Sequence, residues 1–436
     1  MEFSTRIING HYLVSCSSNG AVSLFSPAEY LAFKAVIDAP EEEHTDILRD
    51  LLTGKGCSED QINGFTGIFL RKLKQQGWFR IGFGYTEPEK LRIVYLSITS
   101  SCNLACIYCY IGDERRQPDY VMEYEDAADI IDKIKEFNPA ARIVVTGGEP
   151  LMHPDFFNIL DKLDQSGLNF TLGTNAILID DSKAERLSRY KNLIYVQVSL
   201  DGMTPEVHGL TRGNSWHAVM KGLSFIIRHK VPFAVAPTLH EGNLHEVDAI
   251  AHFTCSNGGF LAPNHLRQFP QAPNAREISL STQSLRTSII ETFGKINNEF
   301  GHHEMPAGLA DPKFFNLSVN RCRHVCGNGW HTVDIDWNGD VYPCHLLREK
   351  TFILGNILRE GFDVIFERGG QSLSRIKAYE TPKCRNCPFV ATCGGGCRAS
   401  AWFTHGTFEA EDVFCEILYK FEVDKLFQTK GIDYNS

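Results

Sequence analysis

The sequence predicts an α/β protein: a parallel sheet in the middle of the chain, a winged-helix-like α+β unit before it and a cysteine-rich domain after it. Three observations carry this. From about residue 91 to 300, short apolar runs alternate with longer amphipathic stretches, as βα units do. The first 90 residues hold a hairpin pattern followed by three helical patterns, and eight of the 14 cysteines lie between 322 and 415. The division is therefore 1–90, 91–310 and 311–436, in keeping with the two or three domains expected of 436 residues.

In the first unit, apolar Tyr12–Ser15 and Ala21–Phe25 flank Ser17-Ser18-Asn19-Gly20, a glycine-bearing turn. Ser26-Pro27-Ala28-Glu29 reads as a capping box with proline at the first helical position, starting a helix through about Val36. Helical patterns follow at about 43–52 and 58–76, the second opening at Ser58 and closing at Gly77. In the middle unit, Leu91–Thr99, Arg142–Thr146, Asn169–Gly173, Leu193–Leu200 and Val231–Pro237 read as strands. Loops at the C-terminal ends of such parallel strands carry the chemistry. The Gly-, Pro-, Asn- and His-rich stretch from Asn257 to Asp311 reads as a bridge. Beyond it Thr332–Trp337 alternates, Asn338-Gly339 signals a tight turn, and Asp340–Tyr342 returns.

Composition excludes several classes. The formal net charge is −10, and the first 90 residues carry 9 Lys/Arg against 12 Asp/Glu, so a nucleic-acid partner is not expected. No stretch approaches the roughly 20 apolar residues that span a bilayer, and Met-Glu-Phe-Ser-Thr-Arg does not open a signal peptide. A cytoplasmic chain without membrane contact is expected. In that compartment cysteines are kept reduced, so 14 of them point to metal or redox chemistry. Cys16, Cys57 and Cys255 are scattered and read as small buried hydrophobes. The other eleven fall into one set of three and eight clustered near the C-terminus.

The set of three is Cys102, Cys106 and Cys109, in a CxxxCxxC loop after the first central strand. A cubane iron–sulfur cluster normally takes four thiolates, so three leave one iron open. The loop resembles the signature of the radical S-adenosylmethionine (SAM) enzymes, including the aromatic Tyr108 before its last cysteine. That resemblance implies a partial (β/α)6 TIM-like barrel. It also implies that SAM chelates the open iron and is split to methionine and a 5′-deoxyadenosyl radical, which abstracts hydrogen. A zinc knuckle or three unrelated core thiols are the plainer readings.

Thr146-Gly147-Gly148-Glu149-Pro150 ends the second strand; two glycines admit a ligand to the backbone, and Pro150 removes a donor and fixes the exit. In the resembling family this segment binds SAM's amino group, with Glu149 as acceptor. Asn175 ends the third strand, Ser199 the fourth, and Arg212 follows in His208-Gly209-Leu210-Thr211-Arg212-Gly213. The resemblance assigns similar serine and arginine positions to SAM's carboxylate, which an arginine fork binds bidentately. Capping or surface roles are the alternatives for each.

The C-terminal spacing is Cys326, Gly339, Cys344, then Cys384-x2-Cys387-x5-Cys393-x3-Cys397 and Cys415, with Cys322 upstream. It resembles the SPASM domain of radical SAM peptide maturases. This implies two auxiliary [4Fe–4S] clusters, one on Cys322, Cys326, Cys344 and Cys397, the other on Cys384, Cys387, Cys393 and Cys415. With the first, three clusters result; two zinc sites are the competing view. Where formylglycine-forming members of the family place a basic Asp, this chain has His345, which can serve as a base near neutral pH or as a hydrogen-bond donor to a cluster sulfur.

The N-terminal order resembles the peptide-recognition element of the small pyrroloquinoline quinone biosynthesis chaperone. In that family a leader peptide adds a strand to the sheet edge, here Ala21–Phe25, and packs on the third helix, here Ile62–Lys74. A structural cap is the plainer reading. Together the resemblances imply a maturase that cross-links a ribosomally made precursor peptide through a carbon–carbon, thioether or ether bond. An electron donor such as a flavodoxin or ferredoxin would serve it. A radical SAM enzyme oxidising another protein or a small molecule, and a zinc-binding non-enzyme, are the alternatives.

Overall fold

The computed structural model describes residues 3–16, 19–79, 91–112, 120–267, 272, 275, 278–281, 284, 326–372 and 378–428. Strands β1 (Ser4–Ile8), β2 (His11–Ser15) and β3 (Val22–Phe25) form an antiparallel sheet in that order. Helices α1 (Pro27–Val36), α2 (His44–Thr53) and α3 (Glu59–Gln75) follow. The expected capping box is present: Ser26 Oγ accepts from the Glu29 N–H and Glu29 Oε2 accepts from the Ser26 N–H at 2.8 Å. Ser58 and Gln61 make the same reciprocal pair at the start of α3.

The first strand is not among the elements expected from sequence. Asn9 and Gly10 both have positive φ, 45° and 73°, the geometry of a two-residue hairpin turn that Asn-Gly favours. That turn pairs Ile8 with His11 and brings the exposed β1 against β2.

Both faces of this small sheet are covered. Phe25 packs with Phe33, Phe69 and Trp78 under the helices. On the other face Leu13, Val22 and Leu24 pack on Val423, Leu426 and Phe427 of the C-terminal helix Cys415–Gln428, together with Phe389. Arg6 adds a hydrogen bond to the Asn386 carbonyl at 2.8 Å.

The central sheet contains β4 (Ile93–Ser97), β5 (Arg142–Thr146), β6 (Asn169–Thr174), β7 (Leu193–Val198), β8 (Phe233–Val235) and β10 (Phe260–Leu261), paired in sequence and all parallel. Helices Tyr124–Phe137, Phe156–Ser166, Asp181–Leu187, Pro205–Arg212, Trp216–Arg228 and Val247–Ser256 connect them. This is the partial (β/α)6 barrel. Two short strands, β9 (Thr238–Leu239) and β11 (Asn264–His265), pair apart from it. The sixth parallel strand is only two residues long and lies inside the stretch read as a bridge, too short to leave a periodic signal.

Alternate strand positions split between two faces. Val94, Leu96, Ile143, Val145, Phe170, Leu172, Val196 and Val198 are fully buried against helix residues such as Ile130, Ile134, Ile159 and Leu163. The opposite parity holds Tyr95, Ser97, Thr146, Gly173 and Gln197.

The sheet does not stop at β4. The predicted C-terminal hairpin, β12 (Thr332–Ile335) and β13 (Asp340–Tyr342), lies beside it: β12 pairs parallel with β4, and β13 pairs with β14 (Gly355–Asn356). Among the described residues nine strands result, in the order β10-β8-β7-β6-β5-β4-β12-β13-β14. The boundary expected at 310/311 falls outside the described residues. Among the described residues no helix is long and apolar enough to cross a membrane.

Candidate functional site

The cysteine loop leaves β4 and is held against the end of β5 backbone to backbone. Gly148 N–H donates to Thr99 O and Glu149 N–H to Ser101 O, both at 2.8 Å. A Cβ on Gly147, whose φ is +140°, would lie 2.3 Å from Thr99 O, and one on Gly148 would lie 2.2 Å from Ser101 O. The two glycines thus make room for the cysteine loop itself, where the sequence reading assigned that space to a ligand. Cys102, Cys106 and Cys109 are all partly exposed on the loop. Burial pushes the Cys102 thiol up to about 12, and the neighbouring Cys106 and Cys109 add to it. A cluster's positive irons are what would deprotonate such thiols.

Glu149 is buried and ties three strand ends together. Its Oε1 accepts from Thr174 Oγ1 at 2.7 Å and Leu151 N–H at 3.2 Å; Oε2 accepts from Asn175 N–H at 2.8 Å. One acceptor position on Oε2 remains. Burial raises its carboxyl to about 7 despite these hydrogen bonds. Asn175 reaches back to the cysteine loop, donating from Nδ2 to Asn103 Oδ1 at 2.7 Å. Pro150 starts a short 3₁₀ turn through Met152. Ser199, partly exposed after β7, is fixed by its N–H on Thr174 O at 3.0 Å.

Arg212 ends the helix Pro205–Arg212, and its Nε donates to Asp201 Oδ2 at 2.8 Å. Its Nη1 points at Cys106 Sγ, 3.8 Å away, and its guanidinium lies 5.3 Å from the Tyr108 ring centre. Asp201, fully buried, also accepts from the Tyr108 hydroxyl, from Thr211 Oγ1 at 2.7 Å and from Thr238 N–H at 2.9 Å. Burial alone would raise this carboxyl, but Arg212 and the hydrogen bonds hold it below the usual range. The sequence reading passed over Asp201 as part of a strand end. Its only signal is the Asp-Gly pair after β7. Glu246 then fixes the loop behind it, accepting from the N–H groups of Met203 and Thr204.

On the far side of β4, Arg348 makes a bidentate pair with Asp334 of β12, Nε to Oδ2 at 2.5 Å and Nη2 to Oδ1 at 2.9 Å, and also donates to Ser97. This pair, also unforeseen, pins the segment after Cys344 to the barrel. His345 sits between the rings of Tyr95 and Tyr110, at 4.7 and 5.4 Å between centroids. Burial lowers its imidazole to about 4, so it is neutral at pH 7.

Cys326, Cys344 and Cys397 form one group, the charge of Cys397 bearing on the other two. Amide donors surround them. Leu346 N–H donates to Cys344 Sγ at 3.4 Å, Ser400 N–H to Cys397 Sγ at 3.5 Å, and the Asn328 and Arg398 N–H groups to Cys326. Cys384, Cys387, Cys393 and Cys415 form a second group, in which burial raises the Cys384 thiol to about 11 and that of Cys393 to about 12. Cys322 lies outside the described residues. Among the described residues no three His, Cys, Asp or Glu side chains close on a single-ion position. Thiols grouped more widely, with amide donors on Cys326, Cys344 and Cys397, are what a cubane asks for.

Comparison with known proteins agrees with this geometry. Residues 96–254 match the Radical SAM superfamily, and residues 326–388 match SPASM, an iron-sulfur cluster-binding domain. The mycofactocin maturase MftC of Mycobacterium ulcerans (strain Agy99) is 26% identical over 329 residues, covering 73% of this chain and 86% of that protein. The antilisterial bacteriocin subtilosin biosynthesis protein AlbA of Bacillus subtilis (strain 168) is 26% identical over 373 residues, covering 83% and 78%. The crystal structure of Streptococcus suis SuiB bound to precursor peptide SuiA superposes with a TM-score of 0.61 at 17% identity, over 95% of this chain and 98% of that one.

Proposed function

Because this chain is a radical SAM enzyme with an SPASM domain, we propose that it matures a ribosomally made precursor peptide by cross-linking two of its side chains. What supports the reading is the reach of the likeness: SuiB, solved with its precursor peptide, matches this fold over 95% of the chain, the N-terminal unit included. By name the similar MftC is a maturase and AlbA a bacteriocin biosynthesis protein.

In this reading residues 1–90 recognise the leader, 91–310 generate the radical and 311–436 hold the auxiliary clusters, in a cytoplasmic enzyme served by a flavodoxin or ferredoxin. Cys102, Cys106 and Cys109 hold the first [4Fe–4S] cluster. With SAM on its open iron and one electron added, that cluster supplies the 5′-deoxyadenosyl radical that takes a hydrogen atom from a substrate carbon. Arg212, oriented by Asp201, and Ser199 receive SAM's carboxylate. The free acceptor on Glu149 Oε2, beside Gly147, Gly148, Pro150 and Asn175, receives its amino group, and Tyr108 lines the same space. Cys322, Cys326, Cys344 and Cys397 hold one auxiliary cluster, and Cys384, Cys387, Cys393 and Cys415 the other. Clusters held there would supply an acceptor for the electron released when the substrate radical bonds to a neighbouring side chain. His345, lowered to about 4 by burial, is too weak a base to hold the accompanying proton near pH 7, and its buried Nδ1 instead donates to a cluster sulfur.

For the leader, β3 is an edge strand whose residues Val22 and Leu24 direct their backbone groups away from β2, by alternation from the Cys16–Ala21 pair. Ile68 on α3, the helix expected to carry the leader, is 69% exposed. Removing the whole unit would strip the C-terminal helix of its cover, so the test is Ile68→Glu. With SAM, reductant and the precursor encoded beside the gene, the wild type is expected to remove hydrogens from the core segment, read by mass spectrometry. The variant is expected to lose about tenfold or more of that activity while still cleaving SAM, since a buried anchor is worth at least 1.4 kcal/mol. Equal modification of leaderless peptide by both proteins would refute leader recognition.

A further inference from the structure

Arg398 follows Cys397 at the start of the helix Arg398–His405 and is only 1% exposed. Its Nη1 donates to the carbonyls of Phe408 at 2.7 Å and Ala410 at 2.9 Å. Its Nε and Nη2 are buried without a hydrogen-bond partner, and among the described residues no carboxylate pairs with it. A buried guanidinium left this way is costly unless something negative answers it.

Its neighbour shows the contrast. Arg267 is half-buried and is met by Asp412 Oδ1 at 2.9 Å, and Asp412 also accepts from the N–H groups of Cys397 and Phe414. Space is kept for Arg398 by Gly395: at φ +83°, a Cβ there would come 3.1 Å from its Nη2. The charge of Arg398 bears on Cys326 of one cysteine group and on Cys384 of the other. Among the described residues no carboxylate answers this charge, while a thiol of each auxiliary set feels it.

We propose that Arg398 is the buried cation shared by the two auxiliary clusters, offsetting their thiolate charge and stabilising their reduced forms. Adding one electron to a cluster makes it more negative by one charge, with no proton needed. A fixed cation in a low-dielectric site favours that step, so it raises the reduction potential. The auxiliary clusters then become better acceptors for the electron that leaves the substrate. The inference rests on the reading that both cysteine groups hold [4Fe–4S] clusters.

The test compares wild type, Arg398→Met and Arg398→Lys as anaerobically reconstituted holoenzymes, by iron content and by redox titration followed by electron paramagnetic resonance. The signal that changes on adding SAM belongs to the first cluster and is the internal control. Arg398→Met is expected to move the auxiliary signals to more negative potential, with the SAM-sensitive signal unmoved, and Arg398→Lys to restore most of the shift. Should the Met variant lose auxiliary iron that the Lys variant keeps, the requirement for positive charge stands. Unmoved potentials in a fully loaded Met variant would overturn the proposal. So would equal loss in both variants, which would mark Arg398 as a strut for the Phe408 and Ala410 carbonyls. A wild type holding about four irons instead of about twelve would instead refute the auxiliary clusters themselves.

Discussion

At the scale of single residues, Asp201 is the centre of the proposed SAM site, although no motif points to it. One carboxylate holds the Tyr108 hydroxyl from the cysteine loop, Arg212 from the following helix and the Thr238 amide. Asp201→Asn leaves Arg212 buried without its counter-charge, and breaking such a pair costs about 3–5 kcal/mol. The expected result is a rise of about tenfold or more in the KM for SAM, read from 5′-deoxyadenosine formation, with first-cluster iron retained. Glu149 gives a pH signature in the metal-free protein. Its folded value of about 7 lies above the ordinary 4.5, so the folded state holds a proton that the unfolded chain has lost between those values. Its contribution is fully present below pH 4.5 and is lost as the pH rises through 7, with a total of about 3 kcal/mol. Glu149→Gln, permanently neutral, is expected to flatten that part of the stability-against-pH curve in denaturant titrations. An unchanged curve would show that Glu149 ionises freely in the fold.

At the scale of elements, the cysteine loop and the Gly-Gly-Glu-Pro turn are one unit. Gly148→Ala would force a methyl to 2.2 Å from the Ser101 carbonyl, a backbone atom that cannot step aside. Reconstituted Gly148→Ala is expected to lack the SAM-sensitive resonance signal and to fall short by about four irons, keeping the other clusters. Loading equal to the wild type would show that the loop does not need this contact. Elements with strong local signals were legible in the sequence: the Ser26 and Ser58 caps, the apolar runs of β4 to β8, and the Asn338-Gly339 hairpin. Pairing between distant segments was not. Asp334 alternates properly within its strand, yet nothing local says that this strand will lie beside β4 or that Arg348 will bridge Asp334 to Ser97. Asn9-Gly10 did carry a local signal, and the short, exposed strand before it obscured the hairpin.

At the scale of the molecule, the regions expected from sequence do not behave as beads on a string. β12 extends the barrel's own sheet, and the N-terminal sheet packs Leu13, Val22 and Leu24 onto the helix that begins at Cys415. The N-terminal sheet and the helix that begins at Cys415 therefore share one apolar contact, which no composition shift along the sequence could reveal. The cysteine spacings, by contrast, announced the chemistry because ligand sets constrain sequence directly, whereas packing partners are free to vary. The account as a whole depends on three loop thiols leaving one iron for SAM. Purified protein, loaded with iron and sulfide without oxygen and then reduced in the presence of SAM, is expected to release 5′-deoxyadenosine and methionine. A fully loaded, reduced protein that leaves SAM intact would contradict it.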